Sequence, residues 1–421
     1  MSSPTANLPT WATDSTVATG ADVGLSSRLE PSTAEKGQGY LGDRAIAARS
    51  DNWRAGSVGD WLSYLSTVQL RNWTREIGGF SVSAWGVPLL NPMAVATGAG
   101  WLIPASNQGD DDGAALLMSP CPKVGSAESA AGLLEFAGAK AAVSVAHNPG
   151  DGNIVIGVIA NTGADETAVW EMGETGGGIG KTTLSGDDGG AAKVVFDSTS
   201  GRFLAFNHRA DGWQTGKLYW IKEGGTWTSR TISGSATGRD IHQVFAANGL
   251  IFVTYADSNA IRVSSDGGET WVLQSTAGGT AGVTGICATD TTYLCIDNTG
   301  QVYRQLGDLW VAVGDPLPNT QTGETDNVAV SGYTYYGNHM ASDGGRFVVI
   351  PWAQADRGHG VYWSSDRGVT WHTETIEAAN NSSNLVVRGV CYGNGEFLVV
   401  AKTPNASDSA SVYSVFRSLR L

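Results

Sequence analysis

Cysteine is scarce and shows no pairing pattern: the four in 421 residues, Cys121, Cys287, Cys295 and Cys391, contain no CxxC pair and are too few to staple a chain of this length. Cys287 and Cys295 are spaced either to face each other across a hairpin or to serve as two small buried hydrophobes. Positive charge is also in deficit. The 26 Lys and Arg against 40 Asp and Glu leave a formal charge of −14, whereas affinity for nucleic acid comes largely from basic side chains displacing counterions. Nucleic acid and anionic membranes are therefore poor partners. No apolar run approaches the ~20 residues needed to cross a bilayer, so membrane insertion is not expected. The opening MSSPTANLPTWATDSTVATG has neither the basic nor the apolar region of a secretory signal. Catalytic strings are missing as well: G-x-S-x-G, H-E-x-x-H and G-x-x-x-x-G-K-[ST] do not occur, and six His are scattered singly. No cofactor or metal is implied. The acidic run Asp110-Asp111-Asp112 reads as a solvated loop, with a hard-cation site as the alternative.

What is abundant is glycine, 57 residues, together with 15 Trp and a charged fraction of only 16%. Short strands and tight turns need that mixture, because Gly supplies positive φ and aromatics fill sheet faces. A repeat accounts for it. The segments DSTSGRFLAF (197–206), AANGLIFVTY (246–255), ATDTTYLCID (288–297), ASDGGRFVVI (341–350) and CYGNGEFLVV (391–400) each lead from a turn into an apolar strand. Their aromatics, Phe203, Phe252, Tyr293, Phe347 and Phe397, are 49, 41, 54 and 50 residues apart. Weaker units precede them around Trp101 and Ile154. Further strands ending in a turn and Trp follow in KLYWIKEGGTW (217–227), IRVSSDGGETW (261–271), VYRQLGDLW (302–310) and VYWSSDRGVTW (361–371). Four short strands in a period of ~40–50 residues are the signature of a propeller blade. The expected fold is mainly β, a seven-bladed β-propeller of four-stranded blades, with six blades as the alternative. The last unit runs out of chain, and GFSVSAWGVPLL (79–90) is expected to supply its outer strand and remove an open edge.

Two copies of S-x-D-x-G-x-T-W lie 100 residues apart: Ser264, Asp266, Gly268, Thr270, Trp271 and Ser364, Asp366, Gly368, Thr370, Trp371. This pattern resembles the Asp-box, or bacterial neuraminidase repeat, found in sialidases and in many non-catalytic propellers. The Asp is expected to hold a turn between third and fourth strands, with Trp packing between sheets. A sialidase would carry Phe/Tyr-Arg-Ile-Pro near its first blade, the Arg clamping a substrate carboxylate. Here the nearest string is Trp101-Leu102-Ile103-Pro104. Leu102 stands where that Arg would be, and Tyr335, Tyr336 and Glu324 have no spacing that singles them out as a nucleophile and its support. No catalytic residues are assigned, and a glycan-cleaving enzyme with a divergent site is the secondary reading.

Residues 1–50 lack periodicity and read as an extended arm, while Trp53, Trp61, Leu62, Leu65 and Trp73 fall on one face of an amphipathic helix expected over about 51–76. That face either docks on the propeller or forms a short coiled coil holding a homo-oligomer, a trimer by preference. Leu8-Pro9-Thr10-Trp11-Ala12-Thr13-Asp14, Gly37-Gln38-Gly39-Tyr40 and Gly59-Asp60-Trp61-Leu62-Ser63-Tyr64-Leu65 resemble the openings of bacteriophage and prophage tail-fibre or virion proteins. The resemblance implies a virion component made in the bacterial cytoplasm, with an attachment module over 1–78, a propeller over 79–421, other virion or tail proteins as partners, and Trp11 among the anchor residues.

Loops between second and third strands emerge opposite the box turns. Two of them share a composition, His208, Arg209, Asp211 and Trp213 against Trp352, Asp356, Arg357 and His359. An aromatic face beside fork-like polar groups suits a sugar, so these are the candidate residues for a host surface glycan, against a reading as ordinary loops with inward Trp. Tyr333, Tyr335, Tyr336 and His339 form a weaker candidate that reads equally as an inner strand. A purely architectural decoration protein is the third reading of the whole.

Overall fold

The computed structural model describes residues 73–81, 95–97, 100–106, 114–120, 132–136, 139–160, 167–174, 178, 180–184, 191–208, 218–232, 241–255, 258–277, 279, 281–317, 328–330, 333–335, 339–350, 360–375, 386–393, 395–403 and 412–418. The chain divides into two compact units, 75–417 and a smaller one of 1–74 with 418–421. The described residues lie almost wholly in the first. Every regular element among them is a β-strand.

The strands form five four-stranded sheets, one eight-stranded sheet and one two-stranded hairpin. Sheets 191–231, 241–275, 283–312 and 340–375 are simple antiparallel meanders in chain order. The eight-stranded sheet is two such meanders, 95–136 and 139–184, joined by the single pair Ser106 and Ala141. The first strand of each meander lies beside the first strand of the next: Val95–Thr97, Ala139–Asn148, Ala191–Asp197, Ile241–Ala247, Val283–Ala288, Met340–Ser342 and Val386–Gly393 follow one another, and the last lies beside the first. This succession of sheets is compatible with a β-propeller.

The final sheet is built from both ends of the unit. Its order places Trp73–Ser81 outside Val412–Ser418, Glu396–Thr403 and Val386–Gly393. The outer strand thus lies earlier than the expected 79–90, and it begins within the stretch read as helix. Residues 73–76 are extended, since Trp73, Thr74 and Ile77 are aromatic or β-branched and an edge with an open hydrogen-bond ladder outweighs the marginal helical pattern of so short a segment. The rest of that expected helix, with Trp53, Trp61, Leu62 and Leu65, and Trp11 of the arm lie outside the described residues. Tyr333–Tyr335 is not an inner strand but pairs with Val328–Val330 in the isolated hairpin, because the inner position of its neighbour sheet is taken by Met340–Ser342.

The core is the set of spaces between facing sheets. Phe206, Tyr219 and Ile221 of one sheet pack with Val244, Ile251, Val253 and Trp271 of the next. Phe252, Ile261 and Val263 then meet Ile286, Cys295 and Trp310, and Cys287, Leu294 and Val302 meet Phe347, Val349 and Tyr362. Second strands are buried on both faces, as in Leu250–Tyr255, whereas outer strands such as Thr226–Thr231 and Val272–Ser275 are largely open. Full burial of a side chain the size of Phe252 contributes about 2–3 kcal/mol. Register also separates the two cysteines. Cys295 pairs with Ile286 and Cys287 with Leu294, so the thiols point to opposite faces and into different cores.

Side chains pin successive first strands where no strand ladder exists. Ser144 Oγ accepts from Val194 N at 2.9 Å and donates to the Ala192 carbonyl at 3.0 Å. Gln243 accepts from Ile286 N at 3.0 Å and reaches the Ile286 carbonyl at 3.4 Å.

Candidate functional site

The sheets have two distinct ends. At one end lie the S-x-D-x-G-x-T-W turns, which join third to fourth strands. Asp266 Oδ1 accepts from Thr270 N at 2.9 Å and from Ser264 Oγ at 2.8 Å, while Thr270 Oγ1 donates to Oδ2 at 2.5 Å. Gly268 N donates to Ser264 Oγ at 2.9 Å, with Gly268 at φ 94°. The turn at Asp366 repeats these bonds at 2.9, 2.8 and 2.5 Å. Trp271 sets its ring edge-on against Phe206 and Tyr219 of the preceding sheet, and Tyr219 Oη donates to the Gly268 carbonyl at 2.6 Å. Burial raises the Asp266 and Asp366 pKa values, but hydrogen bonds from Thr270 and Ser264, or Thr370 and Ser364, outweigh it and hold both carboxyls below the usual range. Every oxygen of these carboxylates is engaged in its own turn, and the geometry is that of a clasp between sheets.

The opposite end carries the starts of the first strands and the connections from second to third strands. His208 closes the strand Arg202–His208 there, its backbone paired with Ala191. The remaining loop candidates, Arg209, Asp211, Trp213, Trp352, Asp356, Arg357 and His359, lie outside the described residues, as do Asp110–Asp112, Glu324 and Tyr336.

The structure brings together a different set at this end. Lys193 pairs with Phe206. His242 is the extra residue of a β-bulge, between the pairs Ile241 with Tyr255 and Gln243 with Thr254. Thr284 occupies a bulge between Val283 with Asp297 and Gly285 with Ile296, and Arg388 one between Val387 with Ala401 and Gly389 with Val400. The His339 carbonyl accepts from Ile350 N at 2.9 Å, one step before the pair Met340 with Val349. These five positions stand at one level, opposite the residues two to four places beyond Phe203, Phe252, Tyr293, Phe347 and Phe397. Bulges re-aim the inserted side chain, which is why they recur beside functional sites.

Side-chain geometry shows the convergence. Lys193 Nζ donates to the His242 carbonyl of the adjacent first strand. The His242 and His339 rings meet edge to face, with centroids 6.0 Å apart, although the 283–312 sheet stands between their own two sheets in chain order. Lys193, His242, Thr284 and His339 are all buried. Lys140 occupies a bulge nearer its strand start, between Ala139 with Ala160 and Ala141 with Ile159. The side chains of Lys140 and Arg388 are outside the described set. Beside His242, the Tyr255 hydroxyl is pushed up to about 12 by burial, which the Arg262 guanidinium only partly offsets, so it stays protonated at neutral pH.

Asp297, opposite Val283 beside the Thr284 bulge, places a buried carboxylate at this level, where it accepts from Thr299 N at 2.9 Å and from Tyr303 Oη at 3.0 Å. Among the described residues of the first strands the sole acid is Asp197, at the far end, where its carboxylate binds Ser200 Oγ at 2.6 Å. No group of three His, Cys, Asp or Glu suited to a metal occurs among the described residues. Leu102 is buried with Ala139, Val145, Ile154 and Val158.

No family model matches the chain, and no curated protein matches it.

Proposed function

We propose that the chain is a non-enzymatic virion component of tail-fibre type, whose propeller binds a host surface glycan or another virion protein and whose first 78 residues attach to the particle and oligomerise. Counting the two meanders of the eight-stranded sheet separately gives seven units around the closed succession of first strands. That count supports a seven-bladed propeller with Asp-box-like turns at 264–271 and 364–371. The observation that carries the binding role is the convergence of Lys193, His242 and His339 at the end opposite those turns. It is also the end at which the second strands Arg202–His208 and Phe347–Val349 finish, and loops held on a rigid scaffold are where binding residues concentrate. The packed, apolar environment of Leu102 speaks against a sialidase-type site.

The test is to incubate the full chain and a 73–421 truncation with a panel of bacterial cells and with particles lacking fibres, while assaying released reducing sugar. Both forms coating cells, only the full chain joining particles, and no sugar release is the expected pattern. Sugar release would replace the proposal with a glycan-cleaving enzyme. Joining particles without coating any cell would leave an architectural protein.

A further inference from the structure

The two S-x-D-x-G-x-T-W turns clasp equivalent places, yet the rims beside them differ. The first packs on the 191–231 sheet, where a Cβ on Gly268 would stand 3.5 Å from Ile221. The second packs on the 283–312 sheet, where a Cβ on Gly368 would stand 3.1 Å from Leu294 and 3.7 Å from Val302. Register makes the positions correspond: Ile221 pairs with Leu204 and Arg304 with Leu294, while Glu223 with Thr226 and Leu306 with Leu309 close the two hairpins. Around the first turn the rim is ionic. Arg202 reaches Glu223 at 2.7 Å and Glu269 at 2.9 Å, and Arg230 reaches Glu269 at 3.9 Å. Around the second turn both acids are replaced, Glu223 by Leu306 and Glu269 by Val369. An arginine remains there: Arg304 is half-buried, its Nε is enclosed without a hydrogen-bond partner, and it has no ion pair among the described residues.

Arg304, Leu306, Leu309 and Val311 share one face of their hairpin, since Arg304 pairs with Val311 and Leu306 with Leu309. Trp310 points the other way, into the core with Phe252 and Val263. The shared face is turned to the 340–375 sheet, because Val302, two residues before Arg304, packs with Phe347 and Tyr362. Across this junction Val369 sits in the turn, its carbonyl oxygen 3.6 Å from where a Cβ on Gly314 would stand. Leu306, Leu309, Val311 and Val369 are 53, 63, 39 and 54% exposed. Asp308, the one acid of the hairpin, accepts from Gln274 of the preceding sheet at 3.3 Å, and the turn adds exposed Arg367.

We infer that this rim docks a short apolar segment of another protein, one that carries a carboxylate for Arg304. Charge sets the chemistry: the junction keeps an arginine but lacks the two acids that serve Arg202 and Arg230 at its counterpart, so the anion comes from the partner. Area sets the size. The four apolar side chains leave open roughly 350 Å², the scale of a functional patch, against the ~800 Å² per partner of a stable protein–protein interface. A segment of a few residues fits that area and the whole face of a second copy does not. The rim lies at the end opposite the proposed glycan site, and the inference is independent of that reading.

The probe is a displayed library of random heptapeptides, panned on the full chain after depletion on its Leu309→Ser variant. Enriched sequences should combine Leu, Ile, Val or Phe with one Asp or Glu. The leading peptide, synthesised with a fluorophore, should bind the parent chain with a Kd below about 1 mM by anisotropy. Leu309→Ser and Arg304→Gln should each weaken it at least about tenfold, the scale of one anchor or one charge-assisted contact. Replacing the peptide's acid by its amide should cost the parent a similar factor and cost Arg304→Gln nothing. Leu273, 51% exposed on the outer strand of the preceding sheet, is the control, and Leu273→Ser should bind as the parent does. Leu309 is exposed, so its variant tests the rim even where Arg304→Gln does not fold. Failure to enrich any peptide, equal binding of acid and amide forms, or an equal loss in Leu273→Ser overturns the inference. A parent oligomer that Leu309→Ser abolishes in sedimentation would assign the rim to a second copy and overturn it as well.

Discussion

Gly157→Ala should be among the most damaging single-methyl changes available in this fold. Gly157 lies in the second strand of the 139–184 meander, against the first strand of the 191–231 sheet. A Cβ built there would sit 1.9 Å from the Ala192 carbonyl oxygen, 2.6 Å from Ser144 Oγ and 2.8 Å from the Ala192 carbonyl carbon. The obstacle is mainly backbone, which cannot swing aside as a long side chain does. Relief requires the two sheets to part, and overpacking of that kind costs about 1–3 kcal/mol. Parting them also stretches the two bonds through which Ser144 joins the sheets, each worth about 1 kcal/mol. The sum, about 3–5 kcal/mol, corresponds to a fall in Tm of about 6–10 °C at the ~2 °C per kcal/mol expected of a large domain. The assay is thermal unfolding followed by circular dichroism, with Gly180→Ala as the control. Gly180 is exposed and a Cβ there meets nothing within 4 Å, so that variant should melt within about 1 °C of the parent. Equal melting of Gly157→Ala and the parent would refute the close approach of these sheets.

Asp266 and Asp366 have folded-state pKa values below the usual carboxylate value, so their contribution is complete above the unfolded value of ~4 and is lost as pH falls through the lower folded values. Denaturant unfolding of the parent and of Asp266→Asn/Asp366→Asn should therefore differ most at neutral pH and converge below about pH 4; a constant gap would contradict the turn chemistry. Burial pushes the Cys287 and Cys295 thiols well above the usual value, so neither should react with a thiol reagent at pH 8 until the protein unfolds, and mass spectrometry should find no bond between them. Truncating Trp213 and Trp352 together to Ala should lower cell binding at least about tenfold without changing Tm; undiminished binding would remove the loop candidates.

The repeat was legible because its second strands are buried on both faces and therefore read as short apolar runs with an aromatic at a fixed place, from Phe203 to Phe397. Its turns were legible because Asp266 and Asp366 act locally, within four residues of their partners. The closing strand was expected in kind but displaced in position, since Trp73–Ser81 is chosen by the open edge of Val412–Ser418 and not by its own pattern. The level holding Lys193, His242 and Arg388 is not legible in the sequence because each is a lone polar residue in an apolar strand, AAKVV, IHQVF and VVRGV, and their neighbourhood exists only once the sheets succeed one another. One signal was available. Lys193, His242, Thr284, His339 and Arg388 precede the repeat aromatic by 10, 10, 9, 8 and 9 residues, so aligning the repeats on those aromatics stacks the polar residues in one column.

We propose that this end of the fold engages a surface glycan without cleaving it. Labelled full-length chain should be bound to a panel of bacterial strains before and after periodate oxidation of their surface sugars. Saturable binding to some strains that disappears after oxidation, with no loss of glycan during incubation, is the predicted result. Binding that survives oxidation unchanged would contradict it.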